Sequence, residues 1–153
     1  MLIPVTKLLQ ELLVCATQAS SGAVAGPFES CYLLLFSGQP TLTADTLITD
    51  LTEAVYTGYA RQAIGTLGAP YISSDGSAAQ DSGVLQFQPT SSPTQTDYIT
   101  GWALVSASTA GNLLAAEMLD VPKQMAEDTD SLSIVVKLEM RPDMTVGSGV
   151  IIQ

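Results

Sequence analysis

Residues 97–119 read DYITGWALVSASTAGNLLAAEML. Tyr98, Thr100, Trp102 and Leu104 recur at the two-residue period of a strand, the small residues Thr109–Asn112 have turn chemistry, and an apolar run follows. The stretch predicts an antiparallel hairpin. Gly101, beside Trp102, leaves room for a neighbouring ring to lie over the backbone. Gly58, between Tyr56 and Tyr59, suggests the same use.

The same period recurs on either side. CYLLLFSG (31–38) is a short apolar run closed by glycine, which predicts a central strand buried on both faces. VLQFQP (84–89) alternates Leu85 and Phe87 with Gln86 and Gln88, so one of its faces is wet. SLSIVVKLEMRP (131–142) puts Leu132, Ile134, Val136, Leu138 and Met140 on one face, with only Val135 breaking the pattern. AVYTGYARQAI (54–64) reads as a further strand with Tyr56 and Tyr59 on opposite faces. The tail VGSGVIIQ (146–153) suggests a short terminal strand.

Between these lie loops. Residues 39–54 have no clean period beyond one helical turn near Asp50–Ala54. Asp75–Gly76 is a strong turn signal, 89–96 is rich in proline and serine, and 120–130 is a loop stopped by Pro122. Only PVTKLLQELLVCATQ (4–18) has helical spacing, through Val5, Leu9, Leu12, Leu13 and Ala16 with Thr6 as cap, before glycine and proline at 20–27 end it. The sum is a mainly β chain: an antiparallel β-sandwich or jelly-roll-like barrel with one short N-terminal helix. We expect a single domain over 1–153, made of a helical segment (1–19) and a sandwich (28–153).

Composition narrows the partners. Fifteen acidic residues against five basic ones, with no histidine, give a formal charge of −10. A non-specific grip on nucleic acid or an anionic membrane is therefore disfavoured. No run approaches the roughly 20 apolar residues of a membrane span, and the opening segment carries Glu11 and lacks a basic leader region, so it reads as mature structure. Charged residues are 13% of the chain, against about 25% in ordinary soluble domains. Such a surface has two readings, a weakly charged monomer or, better, a subunit covered by its neighbours.

Without histidine, the usual Ser/His and Cys/His nucleophile arrangements cannot form. Asp97 with Glu117, and Asp75 with Asp81, are the pairs that could serve a two-carboxylate mechanism, but they read better as solvated turn residues. The Glu127–Asp130 run lacks the features of a calcium loop and reads as an exposed charged loop. The glycines of 147–149 lead into an apolar tail, not a phosphate-binding helix. Cys15 and Cys31 fit no metal spacing; two buried thiols and one bridge both remain open. No cofactor or metal is implied, and we expect no enzyme. Tyr56, Tyr59 and Trp102 admit a sugar groove but suit packing and interface anchoring better. Arg61 suits a stack on Tyr59 or a carboxylate of a neighbouring chain, and an exposed arginine without a partner reads nearly as well. These four are the candidate interface residues.

The phrases DLTEAVYTGYARQAIG (50–65), DSGVLQFQPT (81–90), YITGWALVS (98–106) and NLLAAEML (112–119) resemble a group of small tailed-bacteriophage virion proteins. There, an acidic-threonine phrase leads into a Gly-Tyr-Ala strand, then an Ile-x-Gly-aromatic strand and an apolar strand ending in an acidic residue. The similarity covers roughly residues 31–140 and carries no active site. It implies a capsid decoration or cement protein on the virion exterior, bound to the major capsid protein and to copies of itself, a trimer among the options. A tail, neck or fibre component and a carbohydrate-binding sandwich module are the alternatives.

Overall fold

The strand Tyr32–Ser37 has every residue after Tyr32 buried, and its side chains divide between two apolar clusters. Leu33 and Leu35 enter one, Leu34 and Phe36 the other. Four side chains this deeply buried contribute about 2 kcal/mol each, so everything nearby packs around this strand. The computed structural model describes residues 3–4, 30–69, 71–72, 74, 78–91, 98–140 and 151–152.

In chain order the strands are β1 (Ile3–Pro4), β2 (Tyr32–Ser37), β3 (Thr52–Glu53), β4 (Gln62–Ala63), β5 (Tyr71–Ile72), β6 (Ala78–Asp81), β7 (Leu85–Phe87), β8 (Tyr98–Val105), β9 (Leu113–Gln124), β10 (Leu132–Ile134), β11 (Lys137–Met140) and β12 (Ile151–Ile152). A 3-10 turn spans Ile48–Asp50. The chain is mainly β and every strand pairing is antiparallel, as the alternation predicts. The largest sheet runs β1-β9-β8-β2-β3, with β4 also pairing β2. A second sheet is β12-β11-β6-β5, and β7 pairs with β10.

These last two sheets are nearly one ribbon. The strand pair β7/β10 continues into β6/β11 across a corner where Ser82 N–H donates to the Val136 carbonyl at 2.8 Å. The Ser82 hydroxyl accepts from Val136 N–H at 2.9 Å. Beyond the corner, Leu85, Phe87, Ile134 and Val136 share the cluster of Leu33, Leu35, Trp102 and Leu104, so the ribbon covers one face of the large sheet. Leu42, Ile48 and Leu51, from the 40–51 segment, pack in the cluster on its other face.

The hairpin of 97–119 forms as β8 and β9 but is less regular than its spacing suggests. Thr100 is an extra residue against β2, where Phe36 pairs Gly101 while Ser37 pairs Ile99. This bulge hands the inward face from Trp102 to Ile99, leaving Tyr98 exposed. On β9 the same place faces four residues, Leu119–Pro122, between the pairs Gly101–Met118 and Ile99–Lys123. Pro122 therefore does not end the strand: it sits where no ladder bond is asked of its missing N–H.

Other expectations are corrected in detail. Residues 54–61 form no strand, and the helical turn lies at Ile48–Asp50, with Thr52–Glu53 extended instead. Pro4, expected to open the helix, lies in β1; the remainder of that helix, Cys15 and the Asp75–Gly76 turn fall outside the described residues, though β5 and β6 around that turn do pair.

Gly101 holds the tightest approach in the sheet. A Cβ there would meet the Phe36 ring and, at 2.6 Å, the Glu117 carbonyl oxygen. The expected ring over a strand glycine is present. We expect Gly101→Ala to lose about 1–3 kcal/mol or more in chemical denaturation, since backbone on one side cannot yield. Gly83→Ala, with open space around it, should change stability by a few tenths at most.

Candidate functional site

The stretch from Glu53 to Arg61 runs along the outer edge of β2. Register leaves a gap there, because β4 pairs with Tyr32 and Leu33 while β3 pairs with Phe36 and Ser37. The Leu35 carbonyl in that gap accepts from Ala54 N–H at 2.9 Å. The Leu35 N–H donates to the Tyr59 hydroxyl at 3.1 Å, and that hydroxyl in turn donates to Glu53 Oε1 at 3.0 Å. One phenol thus replaces the missing strand.

A tight turn makes this reach possible. Tyr59 N–H donates to the Tyr56 carbonyl at 3.0 Å, and Gly58 at φ +86° holds the left-handed position that such turns reserve for glycine. Thr90, not an aromatic ring, is what a Cβ on Gly58 would meet. The turn also brings Tyr56 and Tyr59 together, where a strand would have separated them. Their centroids are 5.2 Å apart edge to face, and Tyr59 stacks on Phe87 of β7 at 6.3 Å.

Arg61 completes the cluster. Its side chain is only 8% exposed and meets Glu53 through two bonds, Nε to Oε1 at 2.9 Å and Nη2 to Oε2 at 2.7 Å. Nη1 donates to the carbonyls of Ala107 and Ala110, at 2.9 and 2.8 Å, in the β8–β9 turn. Ala110 is held there at φ +52°, a conformation alanine seldom adopts unaided. The fork shape of the guanidinium suits this task in a way a lysine would not. The expected carboxylate partner exists, but in the same chain.

Burial pushes the Glu53 carboxyl up, yet hydrogen bonds from Arg61 and Tyr59 and the arginine's charge outweigh it and hold the group below its ordinary 4.5. The bond to Glu53 raises Arg61 further. Burial pushes Tyr59 well above the usual phenol range and Tyr56 up to about 12. The Tyr56 hydroxyl is buried with no hydrogen-bond partner among the described residues.

Of the four candidate interface residues, then, Tyr56, Tyr59 and Arg61 converge on one internal cluster. Trp102 lies in the same core, 6% exposed, so it lines no groove for a sugar. The turn at Thr109–Asn112 and the buried strand of Leu35 were legible, but their bonds to Arg61 and Tyr59 were not; the one available hint to Glu53 was an acid eight residues before a rare arginine. Asp130, in the acidic loop, accepts from Ala126 and Glu127 N–H at 2.8 and 2.9 Å and from Lys123 at 3.3 Å. These bonds hold its carboxyl below the usual range. Its oxygens organise the loop itself. Among the described residues no group of three or more His, Cys, Asp or Glu could hold a metal, and no helix is long and apolar enough to cross a membrane. Asp97 and Asp75 fall outside the described residues.

Residues 6–138 match the family model of the podophage GP4 fiber I protein gp80. No curated protein and no solved structure gives a significant match.

The cluster makes opposite forecasts for its two tyrosines. Tyr59→Phe should cost about 1–3 kcal/mol by orphaning the Leu35 amide, whereas Tyr56→Phe should be neutral or stabilising, because its hydroxyl has no partner among the described residues; urea midpoints separate the two. Arg61→Ala should cost about 2 kcal/mol or more, the figure for a buried pair being discounted because Glu53 is one-third exposed. Glu53 ionises more readily folded than unfolded, so its stabilisation is complete above pH 4.5 and fades as pH falls through its depressed value. Glu53→Gln should flatten that acid limb of the stability profile.

Proposed function

From the premise that the chain belongs to the podophage GP4 fiber I protein gp80 family, and so is a structural protein of the tailed-phage virion, we propose that it is a component of a virion fibre. The observation that carries this reading is the extent of the match: residues 6–138 include β2 through β10 and the whole Glu53–Arg61 cluster. The chemistry agrees. Arg61, its carboxylate partner and the core aromatics are committed to holding strands and turns in place. Such a cluster suits a building element better than a reaction centre. The protein works by rigid shape and by contact with other polypeptides.

The fibre reading takes precedence over decoration of the capsid exterior, because the matching family is described as a fibre protein. Contact with the major capsid protein is then not required. Sugar recognition through Trp102 has lost its support, since that ring is buried.

Antibody-gold labelling of intact particles tests the proposal, with label expected on fibres; label distributed over the head surface would overturn it in favour of decoration. Particles assembled without the chain should keep the heat and osmotic resistance of their heads while adsorbing poorly to host cells. Heads that burst early would argue the reverse.

A further inference from the structure

The tip of the β8–β9 hairpin has little of its own to hold it. Ser106 N–H donates to the Asn112 carbonyl at 3.1 Å, and Asn112 N–H donates to the Ser106 hydroxyl at 2.9 Å, which closes the neck. Beyond the neck, Ser108, Thr109 and Ala110 are exposed, and Ala110 and Gly111 both stand in the left-handed region, at φ +52° and +87°. Side chains this small bury too little surface to offset an alanine held there. The tip is gripped from outside, by Arg61 Nη1 on the carbonyls of Ala107 and Ala110.

We propose that Glu53 and Arg61 form an acid-sensitive latch on this tip: protonation of Glu53 makes Arg61 leave its seat and frees residues 106–112 while the sheets stay folded. The reason is the arginine's burial. Its side chain is 8% exposed, and a charge so covered is stable only beside its countercharge. Once that countercharge is neutralised, the guanidinium finds relief in water, which it reaches by giving up both tip carbonyls. Among the described residues the rest of the surroundings cannot take over. The 106–112 turn has no ionisable side chain, β2 brings only the Tyr32 phenol, β4 and β7 bring no charge, and the 53–61 stretch adds the phenols of Tyr56 and Tyr59. Asp50, in the neighbouring 3-10 turn, accepts from Leu47 N–H at 2.8 Å. Glu53 itself is 34% exposed along its side chain, so a proton reaches it without unfolding. Arg61 and Tyr59 hold its carboxyl below the ordinary 4.5; the latch is therefore shut above that value and opens as pH falls through the depressed one.

The latch is a property of the chain itself and holds wherever the chain sits in the particle. Amide NMR of the full chain from about pH 6.5 down to about pH 3, with the Glu53 carboxyl followed in the same samples, tests it. Resonances of residues 106–112 should move together where Glu53 titrates, and protection of the Ser106 amide against hydrogen exchange should fall by about tenfold or more. Amides of the β2–β8 ladder should keep their protection. Glu53→Gln, which retains the shape of the side chain without its charge, should show the acid form of the tip already at neutral pH, whereas Asp50→Asn should leave the tip in its latched form. Tip resonances that stay still across the Glu53 titration, strands that lose protection along with the tip, or an equal response to Asp50→Asn would each overturn the proposal. The wild-type titration decides the matter even where Glu53→Gln fails to fold.

Discussion

A strand buried on both faces can leave none of its amides without a partner, and β2 meets that demand with a broken neighbour. Its outer edge is shared by β3 and β4, with Leu35 in the gap between them. The Ala54 amide and the Tyr59 hydroxyl close it. A hydrogen bond contributes only about 1 kcal/mol net, whereas an orphaned buried amide costs about 1–3. That asymmetry makes Tyr59 obligatory, and Tyr59 in turn dictates the Gly58 turn, the position of Glu53 and the seat of Arg61. Through Arg61 the constraint reaches the far end of the β8–β9 hairpin. Through the stacked Phe87 it reaches the second layer.

Scarcity of charge gives this chain its character. Among the described ion pairs, Arg61 is spent on Glu53 and Lys123 on Asp130. Each cation closes a local structure: one fastens a hairpin turn, the other an acidic loop. Among the described residues the exposed acids Asp45, Asp50, Glu127 and Asp128 lie outside the strands, and Asp120 lies in the β9 bulge.

Much of the fold was legible because burial writes a period into the chain. CYLLLFSG read as a strand covered on both sides, and VLQFQP as one with a wet face; both are so. Gly101 announced a close approach, and Phe36 fills it. Where a residue breaks periodicity, the reading faltered. Thr100 shifts the inward face of β8 by one position, the 119–122 bulge lets β9 run past Pro122, and Val135 marks a corner between β10 and β11 that resembled a single flaw in one strand.

The candidate residues divide the same way. Sequence singled out Tyr56, Tyr59, Arg61 and Trp102 as anchors, since rings and a rare arginine among small residues must hold something. What they hold was beyond its reach: a split strand edge, a carboxylate eight residues back and a turn some fifty residues on are joined only when the sheets assemble. The chain alone determined a β protein, acidic and without histidine, because alternation and composition are local properties. Tertiary structure alone decided that the anchors face inward, because the partners of a buried polar group are chosen by distance in space and leave no mark in spacing along the chain.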